Sequence, residues 1–175
     1  MPPCTPCCFN VNDVFVRDRC VAHGVPVPGC TPTTERVSIG SDGTQGNFKS
    51  FQPSISADGR YVAFTSATNF DNGMPCLVFG LPCGLVFVHD RCVAAGMPVR
   101  ACTPTTERVS VAPDGTTFND ATSQNPSISA DGQLVAFFAI EVPIHSPFAG
   151  FFACSSTVDA ILVRDRRRGL TECIN

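Results

Sequence analysis

Short apolar runs separated by turn residues organise this chain. Tyr61-Val-Ala-Phe64 and Leu134-Val-Ala-Phe-Phe138 each begin one residue after an Asp-Gly step, at Asp58-Gly59 and Asp131-Gly132. An Asp-Gly step between two apolar runs predicts a β-hairpin. The pattern predicts four strands per unit. The first is Pro53 to Ala57, seen again at Pro126 to Ala130, and the second is the Tyr61 or Leu134 run. The third is the Val-Phe-Val run at 86–88, and the fourth is Glu107-Arg-Val-Ser110. Strands two and three are continuously apolar rather than alternating, which predicts burial on both faces. No segment has a convincing 3.6-residue period, so the chain is expected to be all-β.

These runs recur. Asp13-Val-Phe-Val-Arg-Asp-Arg-Cys20 returns as Leu85-Val-Phe-Val-His-Asp-Arg-Cys92, a shift of 72 residues from position 13 to 85. Thr34-Glu-Arg-Val-Ser38 returns as Thr106-Glu-Arg-Val-Ser110, and Pro53-Ser-Ile-Ser-Ala-Asp-Gly59 as Pro126-Ser-Ile-Ser-Ala-Asp-Gly132. A weaker third copy, Ala160-Ile-Leu-Val-Arg-Asp-Arg166 with Thr171-Glu172, closes the chain. Self-similarity at a fixed period is the signature of stacked repeats.

A repeated four-stranded sheet with two buried faces is the blade of a β-propeller. The run Pro53-Ser-Ile-Ser-Ala-Asp-Gly-Arg-Tyr-Val-Ala-Phe-Thr-Ser66, the Val-Phe-Val-Arg-Asp-Arg segment and Thr-Glu-Arg-Val-Ser together resemble the TolB-type, WD40-like propeller repeat of bacterial periplasmic and extracellular proteins. The resemblance spans most of the chain outside residues 1–12, 67–84 and 140–159. It implies a binding or scaffold platform rather than a particular chemistry. The expected architecture is a partial β-propeller of about two and a half four-stranded antiparallel blades. Residues 1–52 form a half blade with an N-terminal tail, 53–125 a blade, and 126–175 a second blade. The 72-residue period exceeds the roughly 40–45 residues of such a blade because of insertions.

Eleven cysteines in 175 residues suit an oxidising compartment, and hence an extracellular, cell-surface or periplasmic location. The repeats supply an internal control on their pairing. Cys20 and Cys30 bracket the connection between strands three and four, as do Cys92 and Cys102 in the next copy. In the third copy that connection shrinks to Arg167-Arg168-Gly169-Leu170, and both cysteines vanish. Joint presence and joint absence predict the local disulfides Cys20–Cys30 and Cys92–Cys102. Each closes a loop of roughly ten residues and contributes on the order of 2–3 kcal/mol. Cys76 and Cys83 are expected to pair within another insertion. Cys4, Cys7, Cys8, Cys154 and Cys173 remain, an odd number, so at least one is free, modified or bonded to another chain. Their concentration at the two ends suits either covalent linkage between copies or an intrachain bridge from tail to last blade.

Recognisable catalytic and metal-binding signatures are missing. Cys4-Thr-Pro-Cys7 lacks the βαβ context of a redox pair, and Cys8 stands where a haem-attachment motif needs histidine. His23, His89 and His145 are scattered and there is no second C-x-x-C, so zinc is not expected. The Asp-Gly turns do not match an EF-hand, there is no nucleophile elbow or nucleotide loop, and no cofactor is expected. The recurring carboxylates Asp18 and Glu35 read as structural. A net charge of −3, with Arg166-Arg167-Arg168 as the one basic block, argues against nucleic acid as partner. No run of about eighteen apolar residues is present, so no membrane-inserted helix is expected. The N-terminus has neither the basic nor the apolar region of a signal peptide.

An array of two and a half blades leaves strand edges and apolar faces open. The expectation is a non-enzymatic structural subunit of an extracellular assembly. It would partner itself head to tail in a disulfide-stabilised fibre or filament, with a closed five-bladed dimer as competitor. The alternative is a fragment of a secreted propeller binding module that recognises protein or glycan.

Overall fold

The structure, a computed structural model, describes residues 12–22, 24–71, 77–78, 81–112, 115–117, 122–140 and 159–174. Among these residues there is no helix, and every strand pairing is antiparallel.

The chain opens with β1 (Phe15–Asp18), followed by a small ribbon of β2 (Val21–Ala22) and β3 (Val25–Pro26), and then β4 (Thr33–Arg36), which pairs with β1. This two-stranded N-terminal sheet is succeeded by β5 (Ser50–Ile55), β6 (Tyr61–Ser66), a ribbon of β7 (Leu77–Val78) and β8 (Leu81–Pro82), then β9 (Leu85–Asp90). A third ribbon, β10 (Val93–Ala94) with β11 (Met97–Pro98), precedes β12 (Thr105–Arg108). The central sheet has the order β12-β9-β6-β5, a meander from inner to outer strand. The C-terminal sheet repeats it with β13 (Thr122–Ile128), β14 (Leu134–Ile140), β15 (Asp159–Asp165) and β16 (Leu170–Cys173) in sequential order. A meander is what short strands joined by tight turns are expected to form.

The first strand of each full sheet does not run from Pro53 to Ala57 as the sequence pattern suggests. β5 begins three residues earlier, at Ser50, and ends at Ile55. Pro53 and Pro126 lie inside register shifts between Phe51 and Ser54 and between Gln124 and Ser127, where a residue without an N–H costs no ladder bond. Gln52 and Asn125 carry the bulge with φ of 53° and 55°. Ser56 and Ala57 belong to the turn instead. Tyr61 N–H donates to Ser56 Oγ, the Ser56 hydroxyl donates to Asp58 at 2.7 Å, and Gly59 takes φ of 74°.

Two apolar clusters hold the sheets together. Val14 and Val37 from the N-terminal sheet meet Val62, Phe64, Leu85 and Phe87 of the central sheet, with Phe70 edge-on to Phe64 and Phe87. On the other face of the central sheet, Ala63, Val86, Val88 and Val109 meet Val135, Phe137, Ala160 and Leu162 of the C-terminal sheet. The central sheet is thus buried on both faces, as its unbroken apolar runs require. The C-terminal sheet departs from that expectation. Its β14 alternates, with Val135, Phe137 and Ala139 buried while Leu134 is exposed and Ala136 and Phe138 are partly covered. The far side of β14 and β15 is apolar in sequence, and among the described residues no following sheet lies against it.

Candidate functional site

The two loop disulfides form around one device. Cys20–Cys30 and Cys92–Cys102 are bonded, each with Cα atoms 5.5 Å apart and a sequence separation of 10. Cys20 and Cys92 sit at φ of 56° and 55°, a region that side chains ordinarily avoid. A carboxylate holds that conformation. Asp18 Oδ1 accepts the Cys20 N–H at 2.8 Å, and Asp90 Oδ1 accepts the Cys92 N–H at 2.9 Å. These Asp-Cys-Cys groupings have metal-like proximity, yet their sulfurs are consumed in disulfides. Burial pushes the Asp90 carboxyl up, but the Arg60 hydrogen bond and the Cys92 N–H outweigh it and hold the group below the ordinary carboxylate value. Cys83 and Cys173 are disulfide-bonded as well. Cys4, Cys7, Cys8, Cys76 and Cys154 lie outside the described residues, as do His23 and His145.

Between sheets, the same arginine fork appears twice. Arg91 Nε donates to Glu35 Oε1 of the preceding sheet, while its Nη1 donates to the Gly59 carbonyl in its own sheet. Arg166 repeats both contacts, to Glu107 Oε1 of the preceding sheet and to the Gly132 carbonyl in its own. The Arg91 side chain is almost wholly buried. Tyr61 sits between two guanidinium groups, Arg166 at 4.5 Å from its ring centre and Arg60 at 4.8 Å. A Cβ at Gly132, where φ is 73°, would collide with that ring. A hydroxyl bridge also repeats, because Thr106 Oγ1 donates to the Ile39 carbonyl and Thr171 Oγ1 to the Val111 carbonyl.

His89 belongs to this junction. Its Nδ1 lies 2.8 Å from Thr106 Oγ1. Since the Thr106 hydroxyl proton is directed at Ile39 O, Nδ1 is the donor and carries hydrogen. Burial lowers the imidazole below its ordinary 6.5, with the charges of Glu35 and Asp90 opposing that shift.

The two ends of the array present the same positions with no further described sheet against them. Phe15 is 55% exposed, whereas its repeat equivalents Phe87 and Leu162 are both 0% exposed in the apolar clusters. At the other end Ile174 is 56% exposed, whereas its equivalents Val37 and Val109 are 0% and 1% exposed. Phe15 shares its face with polar groups, since Arg36 stacks over its ring and pairs with Asp13 at 3.0 Å. Leu134 and Leu170 join Ile174 on the exposed far side of the C-terminal sheet.

Beside the open edge of β1 lies a cleft of about 500 Å³, lined by Asp18, Arg19, Ile55, Asp58, Arg91 and Gly96 among others. Its lining contains no histidine, and its one cysteine, Cys20, is in a disulfide.

No family model matches the chain, and no curated protein matches it either. What stands is an all-β fold with disulfide-bonded cysteines, which are compatible with an extracellular location. No helix among the described residues is long and apolar enough to cross a membrane.

The arginine forks escaped the sequence reading. Their partners are 56 and 59 residues apart, so the pairing exists only once the sheets are stacked. A signal was present all the same. Arg19, Arg91 and Arg166, and Glu35, Glu107 and Glu172, recur in all three copies, including the weak one.

Proposed function

We propose that this protein is a non-enzymatic structural subunit that associates with further copies of itself, each copy extending the stack of sheets in the next. The observation that carries this reading is the exposure of Phe15 at one end and Ile174 at the other, at positions buried wherever a neighbouring sheet precedes (for Phe15) or follows (for Ile174). In this reading the sheets are blades of a partial propeller resembling the TolB-type repeat, and the disulfide loops brace the blade rims outside the cell. A face at one end that meets a different face at the other makes a heterologous contact. Such a contact closes into a ring or grows into a filament, depending on the rotation per copy. Burying one large apolar side chain fully contributes about 1.5–3 kcal/mol, so a few such positions at each face give association a usable driving force.

Size-exclusion chromatography with negative-stain imaging tests the proposal. Rings or filaments support it, and non-reducing electrophoresis then tells whether disulfides join the copies. A homogeneous population of single chains at high concentration contradicts it. That outcome would favour a second reading, a binding module whose ligand enters the cleft beside β1, for which the polar lining of Asp18, Arg19 and Asp58 is the supporting observation.

A further inference from the structure

Two arginine forks join three sheets, and the repeat contains a third arginine and a third glutamate. Arg19 occupies the position of Arg91 and Arg166, and Glu172 that of Glu35 and Glu107. Both are exposed, and among the described residues neither forms an ion pair. Arg19 sits on the first sheet, where the fork reaches toward a preceding sheet. Glu172 sits on the last, where the fork is received from a following one. The chain therefore carries one donor and one acceptor of the same junction, at opposite ends.

We infer that Arg19 of one copy pairs with Glu172 of the next, forming between chains the junction that Arg91–Glu35 and Arg166–Glu107 form within one. This rests on the reading of the protein as a self-associating subunit and names the contact that sets its direction. The occupant of each end face is a second copy because the two internal junctions already show which face meets which. In each, the side carrying Val14, Val86 and Val88 is covered by the side carrying Phe87 or Leu162. The exposed Ile174 side belongs to the first kind and the exposed Phe15 side to the second. Charge follows the same polarity, with a cation at the Phe15 end and an anion at the Ile174 end. The intermolecular fork differs in one respect. The N-terminal sheet has no described hairpin to offer the carbonyl that Gly59 and Gly132 supply, so Arg19 leans on its glutamate partner alone. The pair accordingly sets register and polarity as well as affinity.

Charge reversal with mixing tests this. Arg19→Glu and Glu172→Arg are made separately, and their unchanged circular dichroism and melting temperature verify that these exposed sites leave the fold intact. Each variant alone faces like charges at every junction. The concentration for half-assembly, followed by light scattering and sedimentation velocity, should rise on the order of tenfold or more. An equimolar mixture of the two variants offers an opposite pair at every alternating junction, and should assemble near the concentration of the parent chain. If the parent assembles and the single variants assemble equally well, or if mixing gives no rescue, the Arg19–Glu172 junction is wrong while self-association stands. A parent chain that stays single at every concentration overturns self-association and the junction together.

Discussion

Arg91 connects two sheets with one buried guanidinium, and the contrast with Arg19 shows what that position is worth. Removing the Arg91 side chain by Arg91→Ala leaves the Gly59 carbonyl without its donor and opens space under the aliphatic stem, while the partly exposed Glu35 rehydrates. The expected loss is about 2 kcal/mol in urea unfolding. Arg19→Ala, at the same repeat position but in solvent, should stay within about 0.5 kcal/mol under conditions where the chain is a monomer. An equal loss at both sites would show that the fork contributes nothing through the junction. His89 gives a second residue-scale expectation. Its folded value is lowered, so the unfolded chain binds its proton first as pH falls. The contribution is full above about 6.5 and is lost as pH drops from there through the lowered folded value. His89→Asn should flatten stability against pH in that window, and leave the steeper acid loss from carboxylates such as Asp90, whose window lies lower.

At the scale of elements, the disulfide loops can be tested as units. Cys92→Ser combined with Cys102→Ser opens a ten-residue closure and should cost about 2–3 kcal/mol in chemical unfolding. Cys20→Ser with Cys30→Ser should cost less in a global measurement if the two-stranded N-terminal sheet loosens before the rest. Hydrogen exchange would then place the loss in β1 and β4. These pairs were legible in the sequence because the third copy deletes both cysteines together. The strand order was legible too, since Asp-Gly steps and apolar runs dictate a meander. The start of β5 and β13 was not. Proline normally marks a strand edge, and the bulge that admits Pro53 and Pro126 depends on Gln52 and Asn125 adopting a left-handed backbone. The depth of burial on the C-terminal sheet was equally out of reach. An apolar run states that both faces of a strand can be buried, and only the stack shows that β14 has a neighbour on one side.

Considered as a whole molecule, the chain is an array whose internal contacts exceed its closure. Among the described residues its central sheet is covered on both faces and each outer sheet on one, and the two uncovered sides carry different groups. Phe15 with Arg19 faces one way, and Ile174 with Glu172 the other. Positions buried at each internal junction are exposed at both ends, and on the proposed self-association they set the direction in which copies would add. The Cys20–Cys30 and Cys92–Cys102 loops lie apart from the two apolar clusters, whereas the disulfide-bonded Cys83 sits inside one and Cys173 packs against the other. The measurement that bears most directly on this account is sedimentation velocity of the intact, oxidised chain over a wide dilution series. Mass should rise with concentration well beyond the 18.6 kDa of a single chain, and fall back on dilution. A single 18.6 kDa species at every concentration would contradict it.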